Sequence, residues 1–342
     1  MGAIIRRNEL RYFITGCAGF IGSNLVDRLL GEGHEVVGYD NFVTGRQEFL
    51  SSAQKSPNFH LVNGDTLDLE RLRLSMRGAQ CVFHLAANAD VRFGLENPRK
   101  DLEQNTIATF NVLEAMRLND VKCIAFASTG SIYGEPQIFP TPEDAPFPIQ
   151  TSLYGASKLA AEGLIESYCE GYGFRSYIFR FVSILGERYT HGHIFDFYKK
   201  LRAQSDKINV LGNGKQRKSY LYVQDCIDAM LLALNVRDKV NIFNLGTDEY
   251  CEVDDSLDWI CKHLGVSPRR IYSGGDRGWV GDNPFIYLDC SRIRALGWKP
   301  KLSIREGVIR TLQYLEQNPW VFGRRTEPSS LSPSSGSLIG DE

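Results

Sequence analysis

The chain has 342 residues, 43% of them hydrophobic, with 39 basic against 41 acidic side chains and a formal net charge of −2. That length supports a large core, divided between one major domain and a smaller lobe. The near-neutral charge leaves no broad basic footprint for nucleic acid, and no apolar run approaches the roughly 18 residues that a membrane helix needs.

Near the start, Arg6 and Arg7 lead directly into the first apolar run, with no signal-peptide core between them. Arg at position 6, where a myristoylation motif needs Ser or Thr, removes Gly2 from that reading. The expectation is a cytoplasmic protein. Residues 12–14 (Tyr-Phe-Ile) predict a first strand, followed by Thr15-Gly16-Cys17-Ala18-Gly19-Phe20-Ile21-Gly22 and then an amphipathic helix from Ser23. Strand, glycine turn and helix in that order form a phosphate cradle. Gly16 permits the tight turn, Gly19 lets a pyrophosphate approach the backbone, and Gly22 lets the helix pack on its strand. The helix N-terminus offers unpaired N–H groups and partial positive charge to the phosphates.

A second strand, His34 to Asp40, ends in a carboxylate at the distance where an adenosine ribose is held. Asp40 in that role selects NAD, because the 2′-phosphate of NADP would meet a negative charge; the alternative is an Asp that caps the turn before Asn41 and Phe42. A third strand near residues 59–62 ends at Asp65 and Thr66, where a carboxylate can reach the adenine amino group. The fourth, Cys81 to His84, runs into Leu85-Ala86-Ala87, small enough for backbone to lie against a dinucleotide. Long helices are expected over residues 102–118 and 153–171, the latter with an apolar stripe at Leu153, Ala156, Leu159, Ala160 and Leu164. A fifth strand is expected at residues 123–126, before a hydroxyl-rich turn, Ser128 to Gly134, and a loop marked by Pro136, Pro140, Pro142, Pro146 and Pro148. Further helices are expected near residues 223–234, 254–264 and 304–317.

The alternation to about Arg180 predicts an α/β fold: a Rossmann-type, doubly wound parallel sheet with a smaller C-terminal α/β substrate lobe. Residues 1–180 would form the dinucleotide domain, with some later segments returning to it. Residues 181–323 would mainly form the lobe, and the Ser/Pro/Gly-rich stretch 324–342 a disordered tail. The eight cysteines are scattered, without C-x-x-C pairs or Cys/His clusters. Cys81 and Cys123 sit in apolar contexts and read as buried thiols of a reducing compartment, and no metal is expected.

Tyr154 and Lys158 lie four residues apart and share one helix face. A nearby ammonium and a positive nicotinamide ring both favour phenolate over phenol, which turns Tyr154 into a base at neutral pH, and Lys158 can also hold the nicotinamide ribose. The same pairing also occurs on ordinary solvated helices. Thr129 can share a proton with the substrate oxygen that Tyr154 deprotonates, or it can simply end a strand.

With those residues in place, the chain resembles the extended short-chain dehydrogenase/reductases of the nucleotide-sugar epimerase and dehydratase family, over residues 10–315. The motifs that carry the likeness are TGCAGFIGSNLV, HLAANADVR, ASTGSIYGE, YGASKLAAE, GNGKQRKSYLYVQD and LGWKPKLSIREG. The resemblance implies a tightly held NAD and a nucleoside-diphosphate sugar, most simply a UDP-sugar, bound between the lobes. It implies Tyr154 and Lys158 as the catalytic pair with Thr129 beside them. Cofactor contacts are implied from Phe20, Ile21, Asn41, Phe42, Thr44, Gly45, Asn105, Ser128 and Val182, besides the residues already named.

Dehydratases of this family place Asp-Glu after the Thr, and uronic-acid decarboxylases carry a Glu there. Here those positions are Gly130 and Ser131, which cannot do carboxylate acid/base work. The expectation is a 4-epimerase, most simply for UDP-glucose and UDP-galactose. Departures are Ser183, where many 4-epimerases have Asn, and Lys218, where a diphosphate-binding Arg is usual; Arg217 and Arg277 are alternative sources of a planar fork. Arg92 resembles the Arg of glucuronate 4-epimerases, whereas Arg188 is followed by Thr190 where those enzymes have a second Arg. A dehydrogenase that stops at the keto sugar and a non-catalytic NAD sensor remain as other classes. The resemblance also implies a homodimer joined through the helices at 102–118 and 153–171.

Overall fold

The computed structural model describes residues 9–147 and 149–323, with the backbone alone at Arg92 and Phe93. The predicted tail 324–342, Pro148 and the N-terminal arginines lie outside the described residues.

In chain order the first half runs β1 (Arg11–Thr15), α1 (Phe20–Gly31), β2 (Glu35–Asp40), β3 (Phe59–Asn63), α2 (Leu69–Ser75) and β4 (Cys81–His84). It continues through α3 (Val91–Glu96), α4 (Pro98–Asp101), a π-helical turn (Leu102–Ile107), α5 (Ala108–Leu118), β5 (Cys123–Thr129), α6 (Leu153–Tyr172) and β6 (Arg175–Phe181). The second half runs β7 (Ser183–Leu185), α7 (His193–Ala203), β8 (Lys207–Val210), β9 (Arg217–Lys218), β10 (Tyr220–Tyr222), α8 (Val223–Ala233) and β11 (Val240–Leu245). After it come β12 (Cys251–Glu252), α9 (Val253–Leu264), β13 (Arg269–Tyr272), β14 (Phe285–Ile286), α10 (Ser291–Ala295) and α11 (Ile304–Gln317).

Seven strands form one sheet in the order β11-β6-β5-β4-β1-β2-β3, and every pairing in it is parallel. A parallel sheet must be covered on both faces, and two buried clusters do this. One, around Ile14, Leu25, Phe83 and Phe179, packs against α1 and α8; the other, around Phe13, Val82, Val112, Phe126 and Ile165, packs against α2, α5 and α6. A third cluster, with Ile194, Phe197, Leu257, Ile260 and Leu312, is the core of the smaller lobe. The chain reverses direction of travel along the sheet between β1 and β4, and ligands of such sheets sit outside the strand ends at that point.

β5 continues past the expected end, to Thr129, because its partner β6 stays in register as far as Phe181. The helix expected at 102–118 starts as a π turn and becomes α-helical only at Ala108. α7, which sequence reading left out, is defined by burial of Ile194, Phe195, Phe197, Tyr198 and Leu201. The LGWKP segment docks onto α8: Trp298 Nε1 donates to Asp225 O at 3.0 Å, and Lys301 N donates to the Asp225 carboxylate at 2.9 Å.

Candidate active site

The glycine turn closes against the end of β4. Gly16 has φ +71°, and a Cβ there would stand 2.7 Å from Ala86 N, so no side chain fits. At Gly22 a Cβ would come within 2.1 Å of Gly16 O, which is why α1 can start so close to its strand. No side chain caps α1 at Gly19, so the first-turn amides at Phe20, Ile21 and Gly22 are free for an anion. Leu85 N donates to Thr15 O and Ala86 N to the Thr15 hydroxyl, both at 3.2 Å, fixing the Leu85–Ala87 backbone beside the turn.

Asp40 ends β2 beneath this cradle. One carboxylate oxygen accepts from Ala18 N and the other from Phe42 N, each at 2.8 Å, so the residue does cap its turn. Each oxygen keeps a further lone pair for a ribose hydroxyl. Gly45 stands opposite, where a Cβ would be 2.8 Å from the carboxylate, leaving that side of Asp40 open. Asn41 Nδ2 donates to Asp65 at 3.0 Å, Thr44 is exposed and Thr66 buried, so these residues form one rim along the ends of β2 and β3. The cradle that glycine alone permits, the uncapped helix and the acid at the end of β2 fit NAD.

α6 carries the candidate catalytic face. Ser152 caps it, accepting from Gly155 N at 3.0 Å, and Gly173 ends it in the left-handed conformation. Its angle is set by a buried ion pair, Glu162 to Arg180 on β6 at 2.7 Å, with both side chains 2% exposed. Arg180 also donates to the Tyr133 hydroxyl and to Glu143 O, each at 2.8 Å. The Ser128 hydroxyl donates to this Glu162. Removing one partner of such a pair costs about 3–5 kcal/mol.

Lys158 is buried, and its ammonium donates to Ala127 O at 2.8 Å and lies 4.6 Å from the centre of the Phe126 ring. Burial pulls it down to about 7, partly opposed by the negative charges of Glu162 and Asp101. Without the nicotinamide ring, burial pushes the Tyr154 phenol up to about 12, a hydrogen bond with Thr129 acts downward, and Asp101 adds upward pressure. Thr129 in turn accepts from Ser131 N at 3.1 Å.

Behind this face lies a polar layer of which sequence reading singled out only Asn105, as a cofactor contact, and missed Asn88, Asp101 and Ser157. Asn105, on the π turn, donates to the Ser157 hydroxyl at 2.9 Å and accepts from Asn88 N at 2.9 Å. Asp101 accepts from Asn88 Nδ2 at 2.8 Å, is 1% exposed, and keeps its second oxygen buried without a hydrogen-bond partner. His84 is held neutral by burial, between Thr15 at 2.7 Å and Thr109 at 3.0 Å. Two signals were available: Tyr154, Lys158 and Glu162 recur every four residues, as do Asp101 and Asn105.

Of the candidate substrate residues, Lys218 and Arg277 come together around Asp282. Lys218 Nζ pairs with its carboxylate at 2.7 Å and Arg277 Nη1 donates to its carbonyl at 3.4 Å, while Arg277 also pairs with Glu135. Arg217 points away, stacked 3.9 Å from the centre of the Phe285 ring. Arg188 is paired with Asp27 on α1 and sits apart from the other basic residues. Ser183 is exposed at the start of β7, and Val182 is buried against Gly246. The Arg92 backbone lies in α3; its side chain lies outside the described residues.

The profile of the NAD dependent epimerase/dehydratase family matches residues 12–246. A UDP-glucose 4-epimerase of Mycolicibacterium smegmatis is 32% identical over 311 residues, covering 89% of this chain and 98% of that protein. Among solved structures, a UDP-glucose 4-epimerase of Thermotoga maritima with UDP-glucose superposes with a TM-score of 0.83 at 30% identity, covering 91% of this chain and 100% of the other. A UDP-glucuronic acid 4-epimerase of Bacillus cereus, in complex with UDP-glucuronic acid and NAD, gives 0.83 at 26% identity, covering 90% and 99%. No helix among the described residues is long and apolar enough to cross a membrane, and no His/Cys/Asp/Glu group among them could hold a metal ion.

Proposed function

The chain belongs to the NAD-dependent epimerase/dehydratase family, and within it we propose a 4-epimerase that interconverts UDP-glucose and UDP-galactose. NAD, when bound, supplies reversible oxidation of the sugar carbon. The chain's own residues handle the proton and the geometry. Tyr154 acts as phenolate, the form that the Lys158 ammonium and a bound nicotinamide ring would favour against burial, and in that form would take the proton of the C4 hydroxyl, with Thr129 beside it to hold the sugar oxygen in line. Lys158 places an ammonium under the same face, and the Asn105 and Ser157 layer keeps the helix from rotating away. Lys218 and Arg277 would take the diphosphate, exchanging Asp282 and Glu135 for phosphate oxygens.

One observation carries the choice of reaction. Gly130 stands beside Thr129 where dehydration needs an acid and supplies none, and a Cβ there would meet Ile286 at 3.1 Å and Phe181 O at 3.3 Å, tight enough that these neighbours would have to shift. Ser131, next along, is hydrogen-bonded to Thr129 and has no carboxylate. What remains is a keto sugar that turns over and is reduced on its other face. The test is incubation of the purified enzyme with UDP-galactose and NMR analysis of the product. UDP-glucose supports the proposal; an unchanged substrate, with turnover of UDP-glucuronate in a parallel tube, moves the assignment to that sugar and to Arg92. Lasting NADH absorbance without an epimer would instead indicate a dehydrogenase.

The enzyme is also proposed to act as a homodimer. Leu102, Ile107, Phe110 and Leu118 on the π turn and α5, with Leu153 on α6, are large apolar side chains left exposed. They follow helical spacing on two neighbouring helices, and a second copy of the same pair would cover them in a four-helix packing.

A further inference from the structure

At the sheet edge opposite the glycine turn, side chains line up across four parallel strands. Tyr12 pairs with Cys81, and Cys123 pairs with Arg175. Cys81 and Cys123 each stand one residue before the paired Val82 and Ile124, so they face one another across β4 and β5. Their sulfurs are 2.9 Å apart, and both thiols are free. Neighbouring strands are about 4.8 Å apart, inside the about 4.4–6.8 Å that disulfide Cα atoms span. Little movement separates this arrangement from a bond.

The two thiols are not equivalent. Cys81 is buried, whereas Cys123 is partly exposed and is the sulfur that an oxidant in solvent meets first. Arg175, beside Cys123, has a buried Nε without a hydrogen-bond partner, a donor that a thiolate would satisfy. Cys123 is drawn below the ordinary thiol value, first by its hydrogen bond with Cys81, against an upward push from burial, and then by the positive charges of Arg175 and Arg237. Cys81 is held well above that range by Cys123 and by burial. The partly exposed Cys123, beside the Arg175 guanidinium, is therefore the sulfur placed to react first, and the buried Cys81 the one placed to resolve it.

We propose that Cys81 and Cys123 form an oxidisable thiol pair, at which a hydroperoxide is reduced and a reversible disulfide is made between β4 and β5. The Cys123 thiolate attacks the peroxide, the O–O bond breaks, Cys123 becomes a sulfenic acid, and the departing oxygen takes a proton to leave as alcohol or water. Cys81 then loses its proton, its sulfur attacks the Cys123 sulfur, and the S–O bond breaks, releasing water. Two thiols are oxidised by two electrons and one peroxide is reduced.

The test is timed exposure of the reduced, full-length protein to hydrogen peroxide, with thiols counted under denaturing conditions and peptides mapped by mass spectrometry. The expected result is early loss of two of the eight thiols, one cross-linked Cys81–Cys123 peptide pair, and full recovery with dithiothreitol. In Cys81→Ser, dimedone should trap a sulfenic acid on Cys123 at least about tenfold faster than on the buried Cys17 or Cys226; in Cys123→Ser the early thiol loss should vanish. Early oxidation of other cysteines, or over-oxidation of Cys123 without a cross-link in the wild type, would overturn the proposal. The wild-type measurement decides even if a variant folds poorly, and it is independent of which sugar is the substrate.

Discussion

Replacing Lys158 by Met should make the cofactor-free protein more stable and the enzyme inactive, with a stability gain that depends on pH in a calculable way. The Lys158 side chain is buried, and burial lowers its ionisation from 10.5 to about 7. The ordinary unfolded chain would still hold the proton up to about 10.5, so between the two values the unfolded state binds more protons and stability rises with pH. At about 1.36 kcal/mol for each tenfold change in proton affinity, holding the charged form below pH 7 costs about 5 kcal/mol. At pH 9 the same linkage leaves about 2 kcal/mol.

Met has a similar length and no charge, so it escapes that penalty at both pH values. It loses the bond to Ala127 O, about 1 kcal/mol, equally at both. The difference in unfolding free energy between variant and wild type should therefore shrink by about 2–3 kcal/mol from pH 6 to pH 9. Urea denaturation of both proteins, stripped of NAD, at those two pH values measures it. A gain that is the same at pH 6 and pH 9 would refute the reasoning, since it would mean that Lys158 stays charged in the folded protein at both pH values.

Four further outcomes are expected. Tyr154→Phe keeps the fold and NAD binding but lowers kcat by about 10²–10⁴-fold, read from the rate of product epimer formation. Asp101→Asn keeps the Asn88 contact but removes a charge that raises both Tyr154 and Lys158, so the acid limb of the pH–rate profile should move to lower pH; an unmoved limb assigns Asp101 a purely structural role. Gly16→Ala forces a Cβ onto Ala86 N from a left-handed backbone, costing about 1–2 kcal/mol from conformation alone. It should weaken NAD by more than tenfold (about 1.4 kcal/mol) in calorimetric titration. Ile107→Arg places a charge in the exposed apolar face of the π turn and α5 and should convert the dimer to monomer by light scattering, while a wild type already monomeric at micromolar concentration removes the dimer proposal.

The cradle was readable from the sequence because everything that shapes it is local: an apolar run, three glycines at fixed spacing and a helix within about twenty residues. The same holds for the Tyr154 and Lys158 face, which needs only the helical repeat. What stayed hidden depends on pairs far apart in the chain. Thr129 belongs to a strand rather than a turn because β6, some fifty residues on, keeps pairing with it. Ser128 has the residue type of a cofactor contact, yet Glu162 claims its hydroxyl. The π turn follows from no propensity; it accompanies the stacking of Asn88, Asp101 and Asn105 behind α6.

Charge is the property that sequence reading misjudges most at such a site, because it sees each cation without its partner. Arg217 and Lys218 are neighbours in a strand, so their side chains must leave on opposite faces, and only one can face Arg277. The structure gives that place to Lys218 and stacks Arg217 on Phe285. It also shows that the two cations facing the cleft are already matched by Asp282 and Glu135. On the proposed reading, a diphosphate arriving there would exchange one set of anionic partners for another, so its net gain would be far smaller than the attraction of two bare cations. Specificity for the nucleotide would then come mainly from shape and from groups that lose nothing on binding.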